Sequence, residues 1–415
     1  MPQKIHVVGA GLAGLAAAVR LAGSRAEVVL YEAAGHAGGR CRSYHDQVLD
    51  AVIDNGNHLL LSANHAALTY VAMIGASAKL GGPAHAEFPF VDIASGKRWT
   101  LQINEGSMPW WVFDRARRVP ETSARDYLSF AHLLLLGRAQ KTVCSVVRCS
   151  GAVYDRLARP LWLAALNTDP KEASANLARR VTWETLGRGG RACRPLFAPD
   201  GLGAAFVEPA LSYLRAHGVG VKLGNRLRGI GFARETLSSL DFGDEQVPVR
   251  QSDGVILAVP STVAADLVPG LTTPGEFRAI VNAHFRVDPP AGLAPIIGIV
   301  NGTIEWLFAY RHRLSVTISC ADRLLDMSRE ALAEKIWNEV AVVAGLPKAM
   351  PPWQIVRERR ATFAATPGEH AKRPGTITRW RNLFLAGDWT NTGLPATIEG
   401  AVRSGNRAAD LVWRI

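Results

Sequence analysis

Three glycines near the start of the chain, Gly9, Gly11 and Gly14, have the spacing that binds the diphosphate of a dinucleotide. The first permits a tight turn, the second lets the diphosphate approach the backbone, and the third allows a helix to pack closely on a sheet. We expect the backbone N–H groups of Leu12 and Ala13, at the start of that helix, to face the phosphates.

Two further residues fit the same ligand. Glu32 ends the next apolar stretch and can accept hydrogen bonds from ribose hydroxyl groups. Arg40 follows Gly38 and Gly39 and can donate two hydrogen bonds to the diphosphate, the alternative being a surface ion pair. A glycine-rich turn in an unrelated α/β domain would not account for Glu32, so the set predicts a dinucleotide site.

A polar run meets an apolar run at residues 54–61. Asp54, Asn57 and His58 belong to the sequence Asp-Asn-Gly-Asn-His, which leads directly into three leucines that begin with Leu59. Asn55 and Gly56 between them suit a tight turn or bulge, because both types tolerate positive φ. Such a junction is expected in a pocket where a polar cofactor meets an apolar substrate.

A second candidate binding segment lies near the end of the chain. An apolar stretch ends in Gly387-Asp388, and after a turn Thr397 and Ile398 open a helix that runs towards Leu411. A strand, a Gly-Asp pair and a helix start make another arrangement that binds anions or dipoles. The alternative for Asp388 is an ordinary turn or helix cap.

These residues require a sheet of parallel strands joined by helices. Ile5–Val8 predicts a buried strand, Leu15–Ala22 a helix and Val28–Tyr31 a second strand. Gly218–Leu223 and Asp253–Pro260 predict two more strands of the same kind. The residues therefore predict an α/β fold that begins with a βαβ unit.

Composition limits the classes of partner. The 415 residues are 48% hydrophobic and 20% charged, with a formal net charge of +11 and a sequence pI near 9.7. This balance favours anionic partners, but no nucleic-acid-binding motif occurs, so we expect no nucleic acid. Five cysteines without a CxxC pair predict reduced thiols, a cytoplasmic location and no structural metal site.

An aromatic and basic stretch offers two interpretations. Trp110 and Trp111 lie in an apolar run, and Arg115, Arg117 and Arg118 follow at once. Aromatic side chains beside arginines suit peripheral insertion at the inner membrane surface. The alternative, given equal weight, is that the tryptophans line the core of the protein. The apolar stretch of residues 127–137 predicts a buried helix.

The two glycine motifs and the Gly-Asp segment together resemble the superfamily of FAD-dependent amine oxidases and carotenoid desaturases. That resemblance implies FAD as cofactor and a Rossmann-like FAD-binding domain of the amine-oxidase (GR2) type, with an inserted α+β substrate domain. We expect the FAD-binding domain to comprise residues 1–85, 205–270 and 355–415, and the substrate domain residues 86–204 and 271–354.

The same resemblance implies roles for single residues. Asp388, with Gly387 before it, would contact the ribityl or diphosphate part of FAD, and the helix that begins at Thr397 and Ile398 would point at the flavin ring. Leu227 would pack near the adenine through its backbone, whereas from the sequence alone it is equally a plain core residue.

The residues Gly39 to Ser43, the stretch from Ile53 to Leu61 and the C-terminal segment resemble the squalene-associated FAD-dependent desaturases, also called hydroxysqualene dehydroxylases. The resemblance implies conversion of hydroxysqualene, an apolar isoprenoid, to squalene in hopanoid biosynthesis. His58 is our hypothesis for the proton donor, or else a hydrogen-bonding group near the flavin with Asn57. Asp54 either orients His58 or has a buried structural role.

Two other functions stay open. A carotenoid or phytoene desaturase-like enzyme, or another isoprenoid oxidase, would use the same flavin site in the opposite direction. A prenyl-lipid carrier with a degenerate dinucleotide domain is a non-enzyme alternative, although the intact glycines, Glu32, Arg40 and Asp388 argue against it. The sequence does not identify the electron donor.

Overall fold

We describe a computed structural model of the chain, which covers residues 2–137 and 140–415. The strands in chain order are β1 (Lys4–Val8), β2 (Glu27–Tyr31), β3 (Ser43–Asp46), β4 (Ala51–Asp54), β5 (Leu60–Leu61), β6 (Glu87–Asp92), β7 (Arg98–Gln102), β8 (Pro195–Leu196), β9 (Gly220–Lys222), β10 (Gly229–Ala233), β11 (Thr236–Asp241), β12 (Gln246–Pro248), β13 (Gly254–Leu257), β14 (Phe277–Phe285), β15 (Ile296–Val300), β16 (Trp306–Tyr310), β17 (Arg313–Ile318), β18 (Trp353–Phe363) and β19 (Leu383–Leu385).

Helices connect and cover these strands. In chain order they are α1 (Leu12–Leu21), α2 (His65–Met73), α3 (Leu128–Leu136), α4 (Val143–Val146), α5 (Arg159–Leu166), α6 (Ala175–Glu184), α7 (Gly190–Cys193), α8 (Glu208–Ala216), α9 (Ser261–Leu267), α10 (Arg329–Ala344), α11 (Pro367–Ala371) and α12 (Ile398–Leu411). Short 3-10 turns include Trp110–Phe113, Ala124–Tyr127 and Ala321–Leu324.

A five-stranded parallel sheet has the strand order β19-β13-β1-β2-β9. Its central strands are almost wholly buried, as expected for a parallel sheet covered on both faces. The carboxyl ends of parallel strands meet at one edge, so the turns after β1, β2 and β19 come together there. The predicted α/β fold with a Rossmann-like domain is confirmed.

Close packing of α1 depends on glycine at two positions. A Cβ on Gly14 would lie 1.8 Å from the carbonyl oxygen of Gly9, and a Cβ on Gly405 would lie 2.0 Å from that of Ala13. Gly14 thus lets α1 approach the strand, and Gly405 lets α12 approach α1. The helix begins at Leu12, earlier than the predicted Leu15, because Gly11 already serves as its N-cap.

A seven-stranded mixed sheet has the order β18-β14-β17-β16-β15-β6-β7. Alternate residues of its strands, including Leu314, Val316 and Ile318, pack against Ile336 and Trp337 of α10. The intervening residues face the other way, towards the stretch that follows β4. One sheet face is therefore a closed core, and the opposite face is available to line a site.

Two strand pairings cross the predicted segments: β5 pairs with β8, and β14 pairs with β18. All five strands of the parallel sheet lie within 1–85, 205–270 and 355–415. In the seven-stranded sheet, β18 crosses the boundary drawn at residue 355, because it pairs antiparallel with β14 from Trp353 to Phe363. This pairing makes the whole of β18 part of the seven-stranded sheet.

One expectation about the surface is corrected. Helix α3, expected to be buried, exposes Leu128, Leu135 and Leu136 and buries only Phe130 and Leu133. Its sequence is apolar on all sides, so periodicity could not show which side lies outward. No helix in residues 2–137 and 140–415 is long and apolar enough to cross a membrane.

The expectation of five reduced cysteines is also wrong. Cys144 and Cys149 form a disulfide, whereas Cys41, Cys193 and Cys320 are free. The short helix α4 and the turn after it bring the two thiols together over a separation of five residues. This spacing falls outside the CxxC pattern on which the prediction relied.

Candidate active site

The glycine turn leaves open space at the position predicted for a diphosphate. Gly9 has a φ of 105°, which a residue with a side chain rarely adopts. A Cβ on Gly11 would meet nothing within 4 Å. Helix α1 starts at this point with neither a side-chain cap nor an acidic residue in its first turn. The first N–H groups of a helix lack partners within it, so Leu12, Ala13 and Gly14 can donate to an anion there.

Glu32 holds the two turns at the edge of the parallel sheet. Its Oε2 accepts from the backbone N–H of Ala10 at 2.7 Å, and its Oε1 accepts from that of Ala34 at 2.9 Å. The backbone N–H of Glu32 donates to Lys222 O at the end of β9, and its carbonyl oxygen accepts from the backbone N–H of Asn225 after that strand. Carboxylate oxygens accept more than one bond each, so both remain able to bind ribose hydroxyl groups.

Leu227 follows that segment and is 7% exposed within the main core. Its neighbour Asn225 donates from its backbone to Glu32 O at 2.7 Å. The structure thus brings Leu227 close to the acidic end of β2 while burying its side chain. This position fits both a core role and the backbone contact that the family resemblance implies.

Arg40 joins the two ends of the chain. Its Nη2 donates to Asp388 Oδ1 at 2.7 Å and its Nη1 donates to Ala361 O at 2.5 Å. The charge of Asp388 raises the pKa of Arg40, which stays protonated. The Arg40 side chain is nonetheless 46% exposed, and these bonds use two of its five donors. Gly39, with a φ of 54°, lets the chain turn close to Gly11.

Arg373 was not singled out from the sequence. This buried side chain donates to the carbonyl oxygens of Asp388 at 3.0 Å, Leu394 at 2.7 Å and Trp389 at 3.3 Å, and also to that of Thr390. Its guanidinium therefore fixes the loop between β19 and α12. Burial lowers the pKa of Arg373 to about 10. The surrounding sequence, Lys-Arg-Pro, looks like an ordinary exposed basic turn and carries no sign of this role.

Helix α12 begins beside that loop. Thr397 is its N-cap, and the Thr397 hydroxyl accepts from the backbone N–H of Gly400 at 3.1 Å. Ile398 is buried in the first turn. Gly387, with a φ of 143°, donates from its backbone to Ser404 Oγ at 2.9 Å, which ties the Gly-Asp turn to the same helix. The positive end of α12 thus lies at the edge where Arg40 and Asp388 meet.

Asn57 connects the stretch after β4 to the open face of the seven-stranded sheet. Its Nδ2 donates to Thr317 Oγ1 and Val316 O, both at 3.2 Å, and its Oδ1 accepts from the Tyr310 hydroxyl at 3.3 Å. Asn57 is 7% exposed, so these bonds are shielded from water. They fix the stretch against β16 and β17.

The positive φ expected at Asn55 and Gly56 is not found. Neither residue has a positive φ. A Cβ on Gly56 would instead lie 3.3 Å from Nδ2 of Asn282, which is tighter than most real contacts. Gly56 therefore allows close approach to the sheet, where a side chain would require Asn282 to shift, and it does not serve an unusual turn.

His58 lies beside this contact and is partly exposed. Burial, together with the nearby charge of Arg40, lowers the pKa of His58 to about 4. At neutral pH about one in a thousand such side chains would be protonated. The proton-donor role of His58 stays a prediction, but the lowered pKa disfavours it and favours a neutral hydrogen-bonding group.

The contacts of Asp54 favour a buried structural role over a role in orienting His58. Its Oδ1 accepts from the Ser43 hydroxyl at 2.5 Å and from the backbone N–H of Leu202 at 2.8 Å, and the residue is 1% exposed. Burial raises the pKa of Asp54, while both hydrogen bonds lower it. These bonds tie the hairpin of β3 and β4 to the segment before α8, and none of them reaches His58.

An apolar surface lies next to the polar contacts of Asn57. Strand β16 projects Trp306, Phe308 and Tyr310 from one face, which we call the aromatic row. Leu59 packs against it together with Phe197, whose ring lies 6.3 Å from that of Tyr310 in an edge-to-face arrangement. The sequence junction between His58 and Leu59 is therefore a spatial junction between a polar cluster and an aromatic surface.

These residues fit FAD. The open space above Gly11 and the uncapped start of α1 suit a diphosphate, and Glu32 suits a ribose. Arg40 keeps donors available beside Asp388. The N-terminus of α12 lies where a flavin ring would benefit from a positive dipole. When bound and reduced, FAD would supply a hydride equivalent at this site.

The comparisons with known proteins agree with this assignment. Residues 12–413 match the family described as flavin containing amine oxidoreductase. The chain is 56% identical over 413 residues to a hydroxysqualene dehydroxylase of Rhodopseudomonas palustris, with 99% of each chain covered. It is 46% identical over 406 residues to the protein of that name from Zymomonas mobilis, with 98% of each covered.

A solved structure supports the fold. Cyclohexylamine oxidase from Brevibacterium oxydans superposes with a TM-score of 0.73 at 16% sequence identity, covering 100% of this chain and 99% of the other. The chain therefore belongs to the flavin containing amine oxidoreductase family and is an FAD-dependent oxidoreductase. Over nearly its full length the chain is 46–56% identical to relatives named hydroxysqualene dehydroxylase, and the sequence-based resemblance to them is confirmed.

Proposed function

We propose that this enzyme removes the hydroxyl group of hydroxysqualene reductively and forms squalene. The observation that carries the proposal is the junction between His58 and Leu59. Asn57 bonds Thr317 on the open sheet face, while Leu59 packs on the aromatic row of the same face. A long apolar isoprenoid with one hydroxyl group needs such a boundary. The names of the full-length relatives support the same substrate.

The chain's own residues would do three things in this reaction. The glycine turn, Glu32, Arg40 and Asp388 would hold FAD, with the start of α12 directed at the flavin ring. Leu59 and the aromatic row would hold the isoprenoid and exclude water, which strengthens electrostatic interactions in the site. Asn57 and neutral His58 would form hydrogen bonds at the polar end of the pocket.

The test is an anaerobic single turnover. Purified enzyme is photoreduced and mixed with hydroxysqualene in detergent, while flavin absorbance and the lipid product are followed. We expect squalene in an amount that matches the reoxidised flavin. His58→Ala should retain much of the rate, because a side chain that is neutral near pH 7 is not the main acid.

Two results would contradict these expectations. Flavin that stays reduced beside unchanged hydroxysqualene would reject the proposed reaction, and oxidised enzyme would then be offered phytoene and squalene to test the desaturase alternative. A loss of about a hundredfold or more in His58→Ala, with unchanged FAD content, would restore His58 as the acid.

The two proposed domains correspond to the two large sheets. Residues 1–85, 205–270 and about 365–415 would form the FAD-binding domain, which holds the glycine turn and the Gly-Asp segment. Residues 86–204 and 271 to about 364 would form the substrate domain, which now includes β18 because of its pairing with β14. The candidate site would lie between the two.

We also propose that the enzyme takes its apolar substrate from an anionic membrane surface. Trp110 and Phe113 are each 65% exposed on one 3-10 turn, and Met108 before them is 59% exposed. Arg115 and Arg117 follow on the exposed side of the same segment. Aromatic side chains beside basic ones suit the headgroup region of a bilayer.

The original membrane interpretation requires one correction. Trp111 is 3% exposed and packs edge-to-face on Tyr127 with ring centroids 5.1 Å apart. Only Trp110 of the pair is available to lipid, because the 3-10 turn directs the two side chains apart. The core interpretation therefore applies to Trp111, and the membrane interpretation stays a proposal for Trp110 alone.

The membrane proposal predicts an effect of Trp110→Glu combined with Phe113→Glu. We expect binding to phosphatidylglycerol-containing vesicles, measured by flotation, to fall about tenfold or more, because each glutamate adds charge at a lipid-facing position. Conversion of detergent-solubilised hydroxysqualene should be unchanged.

The matched control adds the same charge elsewhere. Val342 and Ile377 are exposed to a similar degree, at 60% and 63%, but Val342 lies on α10 behind the substrate sheet. Val342→Glu combined with Ile377→Glu should leave vesicle binding nearly unchanged. Equal losses in both double variants would show that net charge alone governs binding, and the proposed surface would be rejected.

A further inference from the structure

The aromatic row has different surroundings at its two ends. Trp306 lies opposite Thr317 of β17, whose Oγ1 accepts from Asn57 Nδ2 at 3.2 Å. Tyr310, four residues further along β16, lies opposite Arg313. Residues opposite each other in a sheet project from the same face. The row therefore runs from a neutral polar contact at Trp306 to an arginine at Tyr310.

Arg313 shows that a ring of this row can hold a cation. The arginine is buried, and the central carbon of its guanidinium lies 4.4 Å from the centroid of the Tyr310 ring. Its Nη1 donates to Val52 O, whereas its Nε has no hydrogen-bond partner among the described residues. The electron-rich face of the Tyr310 ring therefore supplies part of the stabilisation of this buried charge.

The same arginine disfavours a second cation at the Tyr310 end of the row. Like charges repel each other, and the repulsion is stronger where water is excluded. Trp306 lies roughly 13 Å from Tyr310 along the strand, at about 3.4 Å per residue. In residues 2–137 and 140–415 no arginine or lysine lies over the Trp306 ring. Trp306 is thus the better position for a cationic ligand.

Packing orients the Trp306 indole and leaves part of it accessible. Phe90 lies against it with ring centroids 5.8 Å apart and planes tilted by 59°. The neighbour of Trp306 on β15 is Gly298, where a Cβ would lie 2.3 Å from Phe90 Cε1. Trp306 remains partly exposed, whereas Phe308 and Tyr310 are buried. Of these three rings, Trp306 is the one that a ligand can contact without displacing a neighbour.

The proposed reaction creates a positive charge beside this row. Loss of water from the allylic alcohol leaves an allylic cation in a site that excludes water. The two carboxylates singled out for the site are engaged elsewhere. Asp54 accepts hydrogen bonds from Ser43 and Leu202. Asp388 is paired with Arg40. An aromatic face remains, and tryptophan attracts cations more strongly than phenylalanine or tyrosine does.

We propose that the ring face of Trp306 stabilises the allylic cation formed from the substrate, an inference that rests on the proposed function. The hydroxyl oxygen gains a proton, which comes ultimately from solvent, and leaves as water with both electrons of the C–O bond. The positive charge that remains on the allylic carbons lies over the indole ring. A hydride equivalent, which reduced FAD supplies, then forms the new C–H bond.

The first test changes the charge distribution of the indole with little change in its size. Tryptophan analogues with one, two and three ring fluorines are incorporated at position 306 alone, and each fluorine withdraws electrons from the ring face. We expect the single-turnover rate with hydroxysqualene to fall stepwise, by about tenfold or more with three fluorines, at unchanged FAD content. Equal rates across the series would overturn the proposal, because a packing role does not depend on ring charge.

Trp183 is the matched control for this series. Its side chain is 47% exposed on α6, away from the aromatic row. The same fluorinated analogues at position 183 should leave the rate unchanged. A graded loss at both positions would show a general effect of fluorination, and the assignment to Trp306 would be overturned.

A binding measurement separates charge from shape. In an ammonium analogue of the substrate, a protonated nitrogen replaces the carbon that would carry the positive charge, and squalene is the neutral comparison. Binding to the oxidised holoenzyme is followed by flavin absorbance. In Trp306→Leu the dissociation constant of the ammonium analogue should rise about tenfold or more, and that of squalene by less than about threefold. Equal losses for both ligands would assign Trp306 a packing role and overturn the proposal.

Trp306→Phe should recover part of the affinity for the ammonium analogue, because phenylalanine also offers an aromatic face. If Trp306→Leu does not fold, the fluorinated proteins decide the question alone. Failure of wild type to convert hydroxysqualene would reject the proposed function as a whole. An active wild type with equal rates across the fluorinated series would reject only the role of Trp306.

Discussion

Gly11→Val is expected to give a folded protein that no longer binds FAD. A Cβ at this position would meet no protein atom within 4 Å, so valine is accommodated in the absence of ligand. The backbone of Gly11, with a φ of −71°, is also accessible to valine. The isopropyl group would occupy the space that a diphosphate needs, and we expect FAD affinity to fall about a hundredfold or more, which corresponds to about 3 kcal/mol.

Two measurements check this expectation. Bound FAD is quantified by absorbance after denaturation, and the free energy of unfolding is compared between FAD-free proteins, because bound ligand would stabilise only the folded state. We expect the variant to lose the flavin while its unfolding free energy changes by no more than about 1 kcal/mol.

Gly368→Val serves as the control, since a Cβ there also meets nothing within 4 Å but lies in α11, outside the glycine turn. It should bind FAD as wild type does. Stoichiometric FAD in Gly11→Val would remove the diphosphate site from this turn. Gly14→Ala should differ from both by failing to fold, because its Cβ would lie 1.8 Å from Gly9 O.

The FAD-binding fold could be predicted because its characteristic residues lie at fixed spacings within short segments of the sequence. The glycines, Glu32 and the Gly-Asp pair each act through backbone geometry that a few neighbouring residues determine. Parallel strands then bring their carboxyl ends together, so segments from both ends of the chain meet at one edge. The contact of Arg40 with Asp388 follows from this topology.

Residues that act through tertiary contacts could not be predicted in the same way. The burial of Arg373 depends on a loop that lies about fifteen to twenty residues further along the chain. Trp110 and Trp111 are adjacent residues of the same type, but the 3-10 turn that contains them exposes the first side chain and buries the second.

Arg373→Met is expected to weaken both the fold and the retention of FAD. Methionine keeps an unbranched side chain at this position but removes every hydrogen bond that the Arg373 guanidinium donates to the loop between β19 and α12. The carbonyl oxygens of Asp388, Trp389 and Leu394 would lose a buried partner. Leaving a buried acceptor unpaired costs about 1–3 kcal/mol, so we expect the unfolding free energy of the FAD-free protein to fall by about 3 kcal/mol or more.

Loss of FAD should accompany this destabilisation, because the same loop carries Asp388. Arg373→Lys should recover little of the lost stability or FAD, because an ammonium group lacks the planar guanidinium geometry that reaches several carbonyl oxygens at once. Arg381→Met is the matched control, as Arg381 is 76% exposed and pairs with Glu235 at the surface. This control should change the free energy of unfolding by no more than about 0.5 kcal/mol. Its FAD content should equal that of wild type.

The two effects of Arg373 can be separated by their dependence on FAD. If the guanidinium positions Asp388 for the cofactor, adding FAD in excess should restore less stability to Arg373→Met than to wild type, because the variant binds FAD more weakly. Equal stabilisation of both proteins by FAD would mean that Arg373 supports the fold alone. Its bonds to the consecutive carbonyl oxygens of Asp388, Trp389 and Thr390 favour the first outcome, because they include the backbone of Asp388 itself.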